Sequence, residues 1–390
     1  MSRTAGDSRA DANAAAVLRT VLTHGPVARS GISRICGLSP AAVSRQTTGL
    51  LASGLLRELP GPPGAGAGAG TAGRPLVPLD LNTGAVSGPV AAGLHIGVPG
   101  STFSLVDLRG TILARRMLPH GGLRPDTLLP AITARLGAFI SEFTDGRPLL
   151  GLGTALGGWV RPRDGVVVRH SALGWHDLPL AAELADRLHL PVRVDNHARA
   201  VAHAEMLFGR SEARSSLVHL FIGNVVDAAF GIEGAVHQGP GAAAGDVAHL
   251  PVPGSRAACP CGRTGCLQVT ASDTVLGAEA VRRGIVPDPS VPLLVDAAAT
   301  GDPRADRLLR ERARAVGRAA ALLLDVFNPA VMVVSELSSV LHEGYLEEVR
   351  RAAAPRESRI VAPHAGPAVL PVAAAAVLLD PLFRAPTHLN

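Results

Sequence analysis

Between Gly245 and Gln268 the chain reads GDVAHLPVPGSRAACPCGRTGCLQ, and this stretch holds three of its four cysteines. Cys259, Cys261 and Cys266 fall within eight residues, and His249 lies ten residues upstream of the first. One imidazole and three thiolates are a full tetrahedral set for Zn²⁺, and structural zinc uses such a closed set of four. Gly262 and Gly265 let the chain turn tightly between the sulfurs without a Cβ clash. Three cysteines cannot all pair with one another. The N-terminus lacks a secretory h-region, which points to a reducing cytoplasm rather than to disulfides. The expected cofactor is therefore one structural Zn²⁺ on His249, Cys259, Cys261 and Cys266.

GDVAHL followed by CPCGRTGCLQ resembles the zinc signature of the ROK family, a group of sugar kinases and sugar-responsive repressors. The family pattern is G-E-x-G-H, then C-x-C-G-x-x-G-C-L-E. The resemblance implies a two-lobed actin-like (ribonuclease-H-like, sugar-kinase) fold over residues 83–390, with zinc motif 249–266 and a sugar in the cleft. It implies that His249 both binds zinc and contacts sugar, and that Asn196 in VDNHARA is the sugar-binding asparagine. Asp246 stands for the family's glutamate and Gln268 for a further sugar-contacting glutamate. Ala172 occupies the place of a second sugar-binding asparagine. His197 replaces the kinases' catalytic aspartate and is expected to line the pocket without catalytic work.

The nucleotide side of the resemblance has decayed. The first phosphate loop, D-x-G-G-T in the family, is His95-Ile96-Gly97-Val98-Pro99 here. The second, G-T-G-x-G, is Gly223-Asn224-Val225-Val226-Asp227. The family's C-terminal G-G-G is Ser335-Glu336-Leu337. Glycines let backbone amides approach phosphate closely. Val225 adds bulk there, and Asp227 places a negative charge where a polyanion belongs. No catalytic residue is assigned.

Elements that position this site are legible in the hydrophobic pattern. GLHIGV, TFSLVDL and TILARRMLPH read as an antiparallel meander, and DTLLPAITARLGAFISEF as an amphipathic helix. Strands and helices then alternate through PLLGLGTAL, LPLAAELADRLH, PVRVDN and HARAVAHAEMLFG. SSLVHLFIGNVVDAAFGIEGAVHQG restarts the meander, which predicts a second lobe of related design. PRADRLLRERARAVGRAAALLLDVFNP is a long helix closed by Asn-Pro, and AVMVVS a strand. Hydrophobic residues make up 47% of the 390 and aromatics only 3%, so Ala, Leu and Val must build the core. No apolar run reaches the length expected of a membrane span.

Charge is uneven. Residues 1–75 carry eight arginines against three acids, a net of +5 that equals the +5 of the whole chain. The remainder is neutral, so a polyanionic partner would meet the N-terminus. There ANAAAVLRTVLT and ARSGISRICGL read as two helices, with Ile32 and Ile35 turned inward. Ser39 caps a third that opens on Pro40. In it Val43, Leu50 and Leu51 face inward and Ser44, Arg45 and Thr48 outward. LLREL and RPLVPLDL are strands joined by the glycine-rich loop 60–73. Residues 1–82 are therefore expected to be a winged helix-turn-helix that binds double-stranded DNA. Ser39, Ala41, Ser44, Arg45 and Thr48 would face the major groove, with Arg45 suited to guanine. Arg74, in a Gly-Arg-Pro resembling the ROK repressor wing, would enter the minor groove. The reading is a cytoplasmic transcriptional regulator of the repressor type. It would be a homodimer or tetramer with a kinase-dead body that senses a sugar or another small ligand, and the alternative is a cytoplasmic ATP-dependent sugar kinase of the glucokinase type.

Overall fold

The computed structural model describes residues 5–60, 77–122 and 124–388. Its N-terminal unit contains α1 (Ala5–His24), β1 (Val27–Ala28), α2 (Arg29–Cys36), α3 (Pro40–Ala52), β2 (Leu56–Glu58) and β3 (Pro78–Leu81). The three strands pair in the order β1-β3-β2, all antiparallel. Ser39 Oγ accepts from Ala42 N–H at 3.3 Å, so α3 starts where its cap and Pro40 require. Ile32, Val43 and Leu50 are buried as the pattern demands. Ile35 is not: it is 44% exposed, because the eight-residue α2 turns only its Ile32 side to the unit's centre. Leu51 is half-buried. The predicted wing loop beyond Pro60, and Arg74 with it, lies outside the described residues.

The body holds two sheets of one design. The first is built from β4 (Val90–Ile96), β5 (Gly100–Asp107) and β6 (Ile112–Pro119), followed after α4 (Pro125–Phe143) by β7 (Leu149–Leu156). A small antiparallel sheet follows, β8 (Trp159–Arg161), β9 (Val166–His170) and β10 (Trp175–Leu178), in the stretch between PLLGLGTAL and LPLAAELADRLH where the hydrophobic pattern assigns no element. Next come α5 (Leu180–Leu188), β11 (Val192–Asn196) and α6 (His197–Phe208). The strand order is β11-β7-β4-β5-β6, an antiparallel meander flanked by two parallel strands.

The second sheet repeats this plan with β12 (Ser216–Ile222), β13 (Val226–Ile232) and β14 (Ala235–Val236) as the meander. The chain then forms α7 (Leu267–Ala271), α8 (Asp273–Arg282), α9 (Val291–Ala299) and α10 (Pro303–Phe327), before β15 (Val331–Glu336), α11 (Leu337–Leu341), α12 (Glu343–Ala352) and β16 (Ile360–Val361). Its order is β14-β13-β12-β15-β16. In both lobes the strands stand, in chain order, third, second, first, fourth, fifth, which is the ribonuclease-H-like arrangement of an actin-like α/β body.

The last helix, α13 (Val369–Arg384), crosses back to pack on β4, β7 and α6 of the first lobe. Gly366–Arg384 is long and apolar enough to span a membrane, contrary to the expectation that no run would be, yet 67% of it is buried inside the protein. Pro371, Asp380 and Pro381 punctuate the run and hide it from a simple reading of the sequence. Val17, Leu18 and Val21 of α1 join one continuous core with Val372, Leu379 and Phe383 of α13. The N-terminal unit is thus packed onto the body rather than hung from it.

Near the end of α6, Glu205 is buried and accepts from His364 N–H at 2.8 Å. Burial pushes its carboxyl up to about 7. Between the ordinary carboxyl value and 7 the native state holds a proton that the unfolded chain has released, so this group lowers stability as pH rises through that window. Glu205→Gln, which keeps an acceptor for His364, should therefore stabilise the protein at pH 8 by up to about 3 kcal/mol and leave it unchanged near pH 4. Thermal unfolding of the two proteins at both pH values measures this; an equal shift at the two values excludes titration as the cause.

Candidate functional site

The four zinc candidates come together through two laced segments. Gln268 N–H donates to Ala248 O at 2.9 Å, Leu267 N–H to Leu250 O at 2.8 Å, and Val252 N–H to Gly265 O at 2.8 Å. These bonds lay the His249 segment beside the cysteine knuckle. Gly265 has φ +71° and its Cα lies so near Ser255 that a Cβ would sit 2.6 Å from the carbonyl oxygen, so a side chain is excluded twice over. The four ligand atoms all lie within 4.8 Å of one another.

Two of the separations test the metal directly. Cys261 Sγ and Cys266 Sγ are 3.7 Å apart, and His249 Nδ1 is 3.6 Å from Cys259 Sγ. A tetrahedron with Zn–S near 2.3 Å and Zn–N near 2.05 Å has S–S edges of about 3.8 Å and N–S edges of about 3.6 Å. A disulfide would need roughly 2.05 Å. The geometry fits a four-coordinate zinc with no open position, which supplies folding energy rather than catalysis. Arg263 holds the Cys261 thiol down at about 6, toward the thiolate a metal takes.

His249 also lines a cleft of about 700 Å³ between the lobes, with Asn196, Ala172, Asp246, Asp227 and Gln268 around it. Asn196 is the N-cap of α6: its Oδ1 accepts from Ala198 N–H at 2.7 Å, and its Nδ2 donates to Gly158 O at 2.8 Å and to Asp227 Oδ2 at 3.0 Å. Asp246 is exposed, and its Oδ1 accepts from Ala248 N–H at 3.2 Å. Gln268, expected beside a sugar, gives its amide away: it donates to Asn224 O at 2.8 Å and accepts from Val226 N–H at 3.1 Å. It therefore pins the loop that replaces the second phosphate loop.

His197 does not line the cleft. It is buried one layer behind, with Nε2 3.0 Å from Asp227 and its ring 3.9 Å from that of Phe221. The α6 backbone turns it inward because Asn196, one residue earlier, takes the capping position. Three more buried histidines, His95, His170 and His219, surround this point. Burial lowers His95 and His219 to about 3 and His170 to about 4, so all three are neutral at pH 7. Neutral imidazoles and one carboxylate offer neither cationic charge nor free backbone amides to a polyphosphate. Val225 and His197 also close on Gly157, where an added Cβ would meet both within 3.2 Å.

Two residues of the cleft escaped sequence reasoning. Arg199 is almost fully buried, and its guanidinium bonds Asp195 at 2.6 Å, Val160 O at 2.7 Å and Ala242 O at 3.1 Å, joining the lobes. Trp159, 41% exposed, donates from Nε1 to Gly241 O at 2.9 Å across the same gap. A lone indole in a chain with two tryptophans was the available signal for Trp159. Nothing in the local pattern marks Arg199.

On the N-terminal unit, Ser39, Ala41, Ser44, Arg45 and Thr48 are all exposed, while Val43, Thr47 and Leu50 on the other side of α3 are buried. Arg45 makes no ion pair among the described residues. Thr48 Oγ1 donates to Ser44 O at 2.9 Å, which leaves its lone pairs outward.

Comparison with known proteins agrees with this architecture. The model of the ROK family matches residues 91–374. Transcriptional regulator Rv0485 of Mycobacterium tuberculosis is 33% identical over 370 residues, 90% of this chain and 81% of its own. A putative xylose repressor of Caldicellulosiruptor is 28% identical, covering 86% of this chain and 85% of its own. The crystal structure of a ROK family transcriptional regulator, a homolog of the E. coli MLC protein, superposes with a TM-score of 0.75 at 24% identity, over 97% of this chain and 98% of that one.

Proposed function

Because the chain belongs to the ROK family as a transcriptional regulator, we propose that it is a DNA-binding repressor whose body senses a sugar and does not transfer phosphate. One observation carries the loss of kinase chemistry. The side chains of Asp227, His197, Asn196 and Gln268 satisfy one another and the loop Gly223–Asp227, where a kinase keeps open glycine amides for ATP. Asp246, His249 and the second lone pair of Asn196 Oδ1 are polar groups of the cleft wall that suit neutral hydroxyls. A named xylose repressor among the relatives supports a sugar as the effector class. A Zn²⁺ on His249, Cys259, Cys261 and Cys266 would fix the imidazole at the cleft wall, since the ring nitrogen left free by the metal is oriented by it.

We divide the chain at residue 82 into a DNA-binding unit and an effector body, acting as a homodimer in the cytoplasm. A single winged helix offers few base contacts, so two copies on half-sites about 34 Å apart, or a multiple of that, are required for specificity. Arg45→Ala should weaken operator binding by about 1–3 kcal/mol and relax sequence preference at one base pair. Footprinting of genomic fragments with the full chain, followed by titration of the two proteins, measures this. Unpaired half-sites, or an Arg45→Ala protein with unchanged preference, would sink the assignment. The effector is tested by indole fluorescence of Trp159 in a Trp175→Phe background against a panel of pentoses and hexoses. A sugar that quenches the indole and releases DNA supports the reading, and ATP-dependent turnover of any of them replaces it with the kinase alternative.

A further inference from the structure

The cleft and the DNA-binding unit are joined by one helix and one arginine. The helix is α6, twelve residues and so about 18 Å long. Its N-cap is Asn196 in the cleft wall, and its first turn carries Arg199, which holds both lobes. Its middle turn carries His203, whose imidazole lies 2.9 Å from Asp380 of α13 and 3.6 Å from Asp195. Burial opposes charge there, but the two carboxylates outweigh it and raise the histidine to about 9. Its last residue is Phe208, whose ring lies against Gly110, where a Cβ would stand 2.9 Å from the ring carbons. Gly110 has φ +80° and sits in the turn between β5 and β6, next to Arg109.

Arg109 leaves the body entirely. Its Nη1 donates to Leu22 O at 3.1 Å, in the last turn of α1, and its Nη2 forms an ion pair with Asp80 of β3. One guanidinium thus grips the end of the first helix and the wing sheet together. Asp80 is buried and also faces Arg57 at 3.7 Å. Beside this grip lies a cavity of about 680 Å³ whose walls include Leu22, Thr23, Glu205, Phe208 and Arg214. On this side the junction is unfilled, so the polar grip sets the angle. α1 also packs apolar against α13, whose Val369 and Val372 line the same cavity. That pairing is a hinge with a latch: core contacts hold the two units together, and the guanidinium beside the cavity ties α1 and β3 to the β5–β6 turn.

We propose that Arg109 is the positioning residue through which α6 sets the stance of the DNA-binding unit, so that a change at Asn196 reaches α1 and β3 through Phe208, Gly110 and Arg109. The proposal rests on the cleft being the effector site, but its test needs neither sugar nor operator. Hydrogen exchange of the full chain is followed for the parent, Asn196→Ala, Arg109→Ala and the double variant. Arg109→Ala should speed exchange on the order of tenfold in residues 17–28 and 78–84, with α10 in the second lobe unchanged. Asn196→Ala should speed exchange in the same two segments, and that increment should vanish in the double variant. Arg109→Lys, which keeps a cation for Asp80, should restore most of the protection and of the response. If Asn196→Ala fails to fold, Asp227→Ala removes the shared partner of Asn196 and His197 and takes its place. An effect confined to the cleft, or an increment of equal size with and without Arg109, overturns the proposal. Failure of every sugar to bind would instead count against the effector reading alone.

Discussion

Cys266→Ser should release the metal and lower the unfolding temperature by about 8–16 °C. Cys266 is 1% exposed and precedes Leu267, which is fully buried among Leu220, Val226 and Leu276 of the second lobe. Metal binding and folding are one equilibrium at such a site, because the unfolded chain does not present the four ligands together. Losing one thiolate leaves three ligands, exposes the ion to water and frees the knuckle. A loss of about 4 kcal/mol, a fraction of a structural zinc's affinity, corresponds to about 2–4 °C per kcal/mol in a unit of this size. The loosened segment also carries His249 and the backbone that fixes Gln268, so the cleft should lose ligand affinity with it. Elemental analysis should find one zinc per chain in the parent and under half in the variant. Cys36→Ser is the control: its thiol sits half-buried in α2, outside the cluster, and both zinc and melting temperature should be retained. A parent protein purified reduced and without zinc would end the argument.

The cluster of His249 and three cysteines was legible because its determinants are local. Three sulfurs within eight residues and two glycines at positive φ leave few geometries, and the structure realises one of them. The two meanders were legible for a similar reason: adjacent strands joined by short turns announce themselves in the alternation. What stayed hidden is long-range. The helix α13 fills the first lobe although it is the last in the chain, and its register against β4 and β7 has no local signature. Arg109 and Asp80 are 29 residues apart and belong to different units, so their ion pair is invisible to any window. The β8–β10 sheet was missed because its strands are three to five residues long, too short for a period to emerge. His197 shows the limit of residue-by-residue transfer. Its place in a motif suggested the cleft wall, whereas the rotation of α6 about its cap put the ring against Phe221 and Asp227.

That same transfer, followed to the third glycine run of the kinases, leads to the other large effect. Glu336 stands at the end of β15 where the resemblance has glycine, and it is nearly fully buried. It caps α11 by accepting from Ser338 N–H at 3.1 Å and Ser339 N–H at 2.8 Å, and it pairs with Arg312 of α10 at 3.0 Å. Arg312 in turn reaches Asp273 at 2.5 Å and Ala271 O at 2.8 Å. Burial alone would raise the Glu336 carboxyl, but Arg312 and the two serines overcome it and hold it below its ordinary value. The group therefore adds stability at neutral pH that is lost as the solution is acidified through its depressed folded value. Glu336→Gly, the substitution that would restore the kinase pattern, takes one of two carboxylates from the buried guanidinium and leaves it Asp273 and the Ala271 carbonyl. Breaking an isolated buried pair costs about 3–5 kcal/mol; Asp273 offsets part of that here, and the uncapped α11 adds to the loss. The variant should unfold far below the parent and still show no turnover with ATP, since His95, Val225, Asp227 and His197 remain. Glu336→Gly with Arg312→Met, which removes that pair and keeps bulk but leaves Asp273 without its arginine, should recover part of the stability and none of the phosphoryl transfer. Chemical denaturation of the three proteins with a coupled ATP assay decides it: a single variant as stable as the parent, or a double variant that phosphorylates a sugar, would show that the charge cluster did not replace the phosphate site.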